Sequence, residues 1–111
     1  MKKVFSLMIL AAVLILVGNN QAEAGEVYVG NYSDGTRVYL LTDTVQKKSW
    51  LRSSGYECTV RAGRDYLNYT FWKDYRVSYW DYENSEGYKG QVYDGSSPVA
   101  AAILNYLRNN F

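Results

Sequence analysis

Histidine is absent from this chain of 111 residues, and cysteine and proline occur once each. Without histidine the chain lacks the commonest general base and the commonest transition-metal ligand. A single cysteine cannot form an intramolecular disulfide or supply an ordinary zinc site. The sequence also lacks a glycine-rich phosphate loop and a G-x-S-x-G nucleophile motif. We therefore expect no enzyme activity, no catalytic residues, no bound metal and no cofactor.

One acidic cluster is the only group that could challenge this expectation. Asp81, Glu83 and Glu86 fall close together near a predicted loop. Paired carboxylates can cleave a glycosidic bond, and carboxylate oxygens can bind Ca²⁺. The cluster lacks the D-x-[DN]-x-[DN]-G spacing of a calcium loop, and a small domain has little chain left for a walled active site. We interpret the cluster as a solvated loop.

The N-terminus has the pattern of a secretory signal peptide. Met1-Lys2-Lys3 is basic, Val4–Val17 is apolar except for Ser6, and Ala22-Glu23-Ala24 fits a small-x-small cleavage site. A membrane anchor is the alternative, but a helix of about 14 residues spans about 21 Å, short of the hydrocarbon core of about 30 Å. The sequence thus predicts a signal peptide over residues 1–24 and one small exported domain over residues 25–111. That domain would be periplasmic, on the cell surface or extracellular.

The predicted domain carries no excess charge. Removal of Lys2, Lys3 and Glu23 leaves ten basic and ten acidic residues. A neutral domain has neither the basic surface that binds nucleic acid nor a polybasic patch for anionic lipid. We expect no nucleic acid partner and no stable membrane insertion after signal cleavage.

Tyrosine is abundant, with 12 residues, and the segment from Asp65 to Asp94 is its richest part. Side-chain alternation there predicts a β-hairpin with strands Tyr66–Trp72 and Tyr75–Tyr82. A three-residue loop, Trp72-Lys73-Asp74, would bring one wholly apolar set to a single face, and burial should select that register. The predicted inward set is Leu67, Tyr69, Phe71, Tyr75, Val77 and Tyr79.

The opposite face of this hairpin is the predicted binding surface. Tyrosine and tryptophan offer rigid contact area with a polar group, which suits a protein or a carbohydrate partner. The alternative is a structural or self-associating envelope protein, in which these rings cover the sheet or are buried in a homodimer. The predicted binding residues are Tyr66, Trp72, Arg76, Trp80 and Tyr82.

The remaining segments complete the predicted fold. A Ser33-Asp34-Gly35-Thr36 turn joins strands Glu26–Tyr32 and Arg37–Leu41. A segment of undetermined state follows, residues 46–55, which ends in a predicted turn at Ser53-Ser54-Gly55. The strand Tyr56–Ala62 then alternates, with Cys58 inward as a buried thiol; a disulfide between two chains is the alternative for Cys58. A loop over Glu83–Gly87 would lead to a last strand, Tyr88–Tyr93.

A C-terminal helix is predicted from Pro98 to about Asn109, with Ser97 as its N-cap. Its apolar stripe needs a partner, and the sheet is the available one. The predicted fold is α+β, with a single antiparallel sheet of about five to six strands packed on one C-terminal helix.

Two stretches carry a resemblance to known families. The run VYVGNYSDGTRVYLLTDTV, residues Val27–Val45, and the helix Ser97-Pro98-Val99 to Leu107 resemble small exported bacterial domains of unknown function. More loosely, the chain resembles the surface-adhesin protein E-like family. The resemblance implies an antiparallel sheet carrying a C-terminal helix and, for the adhesin-like members, an extracellular binding role.

Overall fold

The computed structural model describes residues 25–111, and the predicted signal peptide lies outside the described residues. The six strands form one antiparallel sheet in chain order, which curves into a half-barrel and packs on the helix. This confirms the predicted α+β architecture. The elements are β1 (Glu26–Asn31), β2 (Arg37–Ser49), β3 (Ser53–Ala62), β4 (Asp65–Asp74), β5 (Asp81–Asn84), β6 (Lys89–Gln91) and α1 (Pro98–Asn110).

The first hairpin forms where the Asp-Gly turn predicted it. The Thr36 amide donates a hydrogen bond of 2.9 Å to the Asp34 carboxylate. Gly35 has φ of 91°, a conformation that glycine adopts without the steric cost that a side chain would add. Local side-chain and backbone chemistry therefore defines this turn.

Strands β2 and β3 extend further than the sequence indicated. The pairing shifts register between Leu41 and Gln46 and then continues to Ser49. Within this irregularity, the Thr59 amide donates to the Thr44 hydroxyl at 2.8 Å, so a side chain replaces a missing backbone partner. The predicted turn at Ser53-Ser54-Gly55 is wrong, because these residues belong to β3: all three pair with β4, and Ser54 and Gly55 also pair with β2.

The predicted hairpin between residues 66 and 82 is also wrong in its second half. Strand β4 pairs with β3 along its whole length, and the chain then leaves the sheet at Asp74, whose carboxylate accepts a hydrogen bond of 2.9 Å from the Arg76 amide. It returns as β5, with Phe71 opposite Tyr82. Tyr75 is consequently 61% exposed, Tyr79 is also exposed, and Val77 lies in the connection as a partly exposed side chain.

The inward half of β4 and the inward set of β3 are confirmed. Leu67, Tyr69 and Phe71 are buried. Cys58 is buried as predicted, and Tyr56 and Val60 flank it on the same face. These side chains form one core with the apolar stripe of the helix, which is Val99, Ala100, Ile103, Leu104 and Leu107.

The start of the helix is confirmed. The Ser97 hydroxyl accepts a hydrogen bond of 3.2 Å from the Ala100 amide, and Pro98 opens the first turn. The helix packs against β1 and β2 and thereby covers the inner face of the half-barrel. The last strand is shorter than predicted, since β6 contains only Lys89–Gln91.

Candidate functional site

The five predicted binding residues do not form one surface. Tyr66 and Trp72 both lie on the outer face of β4, but six residues of extended chain separate them by about 20 Å. Arg76 is exposed in the connection after β4, where its guanidinium forms an ion pair of 2.8 Å with Asp74. The outer face therefore offers separate aromatic positions along one strand.

Trp80 and Tyr82 are not on the outer face, and their predicted placement is wrong. Residues opposite one another in an antiparallel pair share a face, so the pairing with buried Phe71 turns Tyr82 inward. Trp80 is half-buried and stacks on Tyr56, with ring centroids 6.1 Å apart. The guanidinium of Arg108, from the helix, lies 5.6 Å from the Trp80 ring centroid. Both rings thus contribute to the core.

A different set of side chains crosses the outer face. The register places Tyr28 opposite Tyr39, Tyr39 opposite Arg61, and Arg61 opposite Tyr66. These four residues, which we call the outer row, come from four adjacent strands, β1 to β4. Only Tyr66 of this row was predicted from the sequence as a binding residue.

The centre of the outer row is held rigidly. The Arg61 guanidinium donates two hydrogen bonds to the Glu26 carboxylate, at 2.9 and 2.8 Å. Its carbon lies 4.6 Å from the ring centroid of Tyr39, which is almost fully buried beneath it. The hydrogen bonds that the guanidinium donates to Glu26 are the main reason that the pKa of Arg61 is raised. A two-point ion pair over an aromatic ring fixes both the position and the charge of the guanidinium.

The two ends of the outer row are open to solvent. Tyr28 is 50% exposed and Tyr66 is 64% exposed. The Tyr28 ring leans on Tyr39, with centroids 5.6 Å apart at 55°. The row therefore presents two half-exposed phenol rings on either side of a fixed cation.

The sequence could not reveal this row because of a β-bulge. Counting back from the Asp-Gly turn pairs Val29 with Tyr39, but the register shifts between Tyr28 and Gly30. The extra residue, Val29, packs toward the core and brings Tyr28 opposite Tyr39. Bulges of this kind re-aim side chains, and alternation alone does not locate them.

Across residues 25–111, no group of three or more His, Cys, Asp or Glu side chains is arranged to hold a metal ion. None of the helices in this range is long and apolar enough to cross a membrane.

The acidic cluster predicted from the sequence is divided, since Asp81 and Glu83 lie on β5 and Glu86 lies in the following loop.

No protein-family model, no curated protein and no solved structure matches this chain. The resemblance to small exported bacterial domains and to the protein E-like adhesins stays a prediction from the motifs of Val27–Val45 and Ser97–Leu107.

Proposed function

We propose that this chain is a non-enzymatic interaction module that binds a protein partner through the outer row. The observation that supports this proposal is the guanidinium of Arg61, fixed between the half-exposed rings of Tyr28 and Tyr66. Tyrosine and arginine are enriched among the residues that dominate the energy of protein interfaces. The outer row, with three tyrosines and one arginine, has this composition.

The rigidity of Arg61 favours a binding role for the outer row over a role in merely covering the sheet. Ordering a long side chain at an interface costs about 0.5–1.5 kcal/mol, and a side chain that is already ordered avoids this cost. Glu26 and Tyr39 hold Arg61 in place before any partner arrives. Tyrosine adds contact area with little rotamer freedom to lose.

The shape of the surface favours a protein over a small molecule. The outer row crosses the outside of a half-barrel, whereas sites for small molecules are concave and enclose most of the ligand. Export, which residues 1–24 predict, would bring this surface to partners outside the cytoplasm. Neither a charged nor a metal-dependent partner is required by the residues of the row.

A second copy of the chain is the alternative partner. Strand β1 is an edge of the sheet, and Tyr28 is exposed on it, so the row extends to the edge where another molecule could approach. In that case the protein would be a self-associating envelope protein. Size-exclusion chromatography separates the two: a dimer that Tyr28→Ala converts to a monomer would support self-association.

Selection from a displayed peptide library tests the main proposal with no partner specified in advance. Peptides selected on the wild-type protein should bind the double variant Tyr28→Ala/Tyr66→Ala about 30-fold or more weakly. This is the effect expected when a dominant interface residue is removed. Tyr75→Ala is the matched control, because Tyr75 is equally exposed but lies outside the row. Selected peptides that bind the double variant as tightly as the wild type would refute the proposal.

A further inference from the structure

A second candidate site lies at one end of the half-barrel, away from the outer row. It is a cleft of about 380 Å³ between three segments of the chain. These segments are the turn after β1 (residues 31–34), the loop after β5 (residues 84–88) and the start of α1 (residues 96–99). Tyr69 and Tyr82, from β4 and β5, contribute to its lining. The cleft thus collects residues that are distant in the sequence.

A pair of tyrosine hydroxyls lies within the cleft. The hydroxyl oxygens of Tyr32 and Tyr69 are 2.7 Å apart and share a hydrogen bond. Burial is the main cause that raises the pKa of both phenols, so both stay protonated at neutral pH. Two hydroxyls that share one hydrogen bond retain one O–H proton and several lone pairs for other partners. Tyr69 is only 1% exposed, so a ligand would meet this pair at the hydroxyl of the partly buried Tyr32, which Tyr69 holds in place.

The loop that forms one wall is held by a buried amide. Asn84 is the one buried polar side chain among residues 25–111. Its carbonyl oxygen accepts hydrogen bonds from the backbone amides of Glu86 and Tyr88, at 3.0 and 3.1 Å. A further hydrogen bond from Asn84 to Tyr69 lowers the pKa of that phenol against the larger effect of burial. One side chain thus connects the wall to the hydroxyl pair.

The charges of the lining argue against an anionic ligand. The cleft is lined by two carboxylates, Asp34 and Glu86, together with hydroxyl and amide groups. Within the described part of the chain, neither lysine nor arginine lines it, so an anionic ligand has no charged partner there. Tyr88 presents an exposed ring at the wall, and such a ring gives flat apolar contact beside polar groups.

We propose that this cleft binds a neutral saccharide. The apolar C–H face of a sugar ring would stack on Tyr88, and its hydroxyls would exchange hydrogen bonds with the Tyr32 hydroxyl and with the carboxylates. The volume lies near the lower end of the range for small-molecule sites, about 300–1,000 Å³, which suits one or two sugar rings. This site is independent of the outer row and of any protein partner.

Titration of the isotopically labelled protein, followed by NMR, tests this proposal with defined probes. The panel contains neutral mono- and disaccharides, a sialic acid as an anionic sugar, and ethanolamine as a cation. We expect at least one neutral saccharide to shift the backbone amide signals of residues 32–34 and 84–88. Tyr88→Ala should weaken that binding by about tenfold or more. Tyr69→Phe should do the same, because it keeps the ring but removes the hydrogen-bond partner of the Tyr32 hydroxyl.

A control variant and a fallback for a variant that does not fold make the result decisive. Tyr75→Ala removes an exposed ring that belongs to neither the cleft nor the outer row, and it should leave saccharide binding unchanged. If Tyr69→Phe does not fold, Tyr88→Ala decides alone, because that side chain is 66% exposed and its loss should not affect folding. The proposal is overturned if no neutral saccharide shifts the cleft signals, if only the sialic acid or ethanolamine does, or if Tyr88→Ala binds the saccharide normally.

Discussion

Gly55 is the position where a single methyl group should do most damage to this fold. It lies inside β3, opposite Lys48 of β2 and Trp72 of β4. A Cβ atom built on Gly55 would lie 1.8 Å from the carbonyl oxygen of Phe71 and 2.9 Å from the Cα of Trp72. Both atoms belong to the backbone of the neighbouring strand. A side chain at this position therefore cannot be accommodated by a rotamer change.

The size of the effect follows from these distances. Close contacts between carbon and a carbonyl oxygen are about 3.3 Å, so β3 and β4 would have to separate by about 1.5 Å. Overpacking a core typically costs about 1–3 kcal/mol, and displacing paired backbone places Gly55→Ala at about 3 kcal/mol or more. At about 0.05–0.15 kcal/mol per residue, a domain of about 87 residues has a total stability of only about 4–13 kcal/mol. A loss of about 3 kcal/mol would lower Tm by about 12 °C or more.

Thermal and urea unfolding, followed by circular dichroism, measure this loss. Gly35→Ala is the matched control, because no atom lies within 4 Å of the added carbon and the cost comes only from its φ of +91°. That conformation costs an L-residue about 1–2 kcal/mol. Gly55→Ala should therefore be clearly the less stable variant. A Gly55→Ala protein as stable as Gly35→Ala would show that the strands do not approach each other as described.

Two further predictions concern the faces of the central strands and the buried thiol. Leu67→Ala should lower the free energy of unfolding by about 2–5 kcal/mol, because it leaves a cavity in the core. Tyr66→Ala on the outer face should change it by less than about 0.5 kcal/mol. Equal losses in urea unfolding would contradict the assigned faces. Burial raises the pKa of the Cys58 thiol from about 9 to about 12, so the unfolded chain ionises at lower pH than the folded protein. The resulting contribution to stability is fully present below about pH 9 and is lost as the pH rises toward about 12. The loss of stability between about pH 8 and about pH 10.5 should be smaller in Cys58→Ala, and an unchanged loss would show that the thiol is accessible.

The sequence was most informative where neighbouring residues decide the structure. The turn at Asp34 and Gly35 and the cap at Ser97 each depend on side chains that bond to their own backbone within three residues. The inward face of β4 followed from alternation, because Leu67 and Tyr69 are buried in the same core. These features do not depend on which strands are neighbours.

The predicted binding surface failed where the neighbouring strand decides the face. The predicted second strand, Tyr75–Tyr82, carried its alternation through residues that lie in the connection after β4, and this turned Tyr82 outward. The chain in fact leaves the sheet for six residues, and the next strand begins with the opposite parity relative to β4. The pairing of Tyr82 with Phe71, and not the local pattern, sets its face.

The amino-acid sequence by itself determined the fold class, the inward faces of β3 and β4 and the limits of the C-terminal helix to within one residue. The tertiary structure alone decided which tyrosines stand together. The outer row depends on a bulge at Val29, and the cleft depends on Tyr32 meeting Tyr69 across 37 residues of chain. The physical reason is that strand register is fixed by contacts with distant segments, and one residue of shift moves every side chain to the other face.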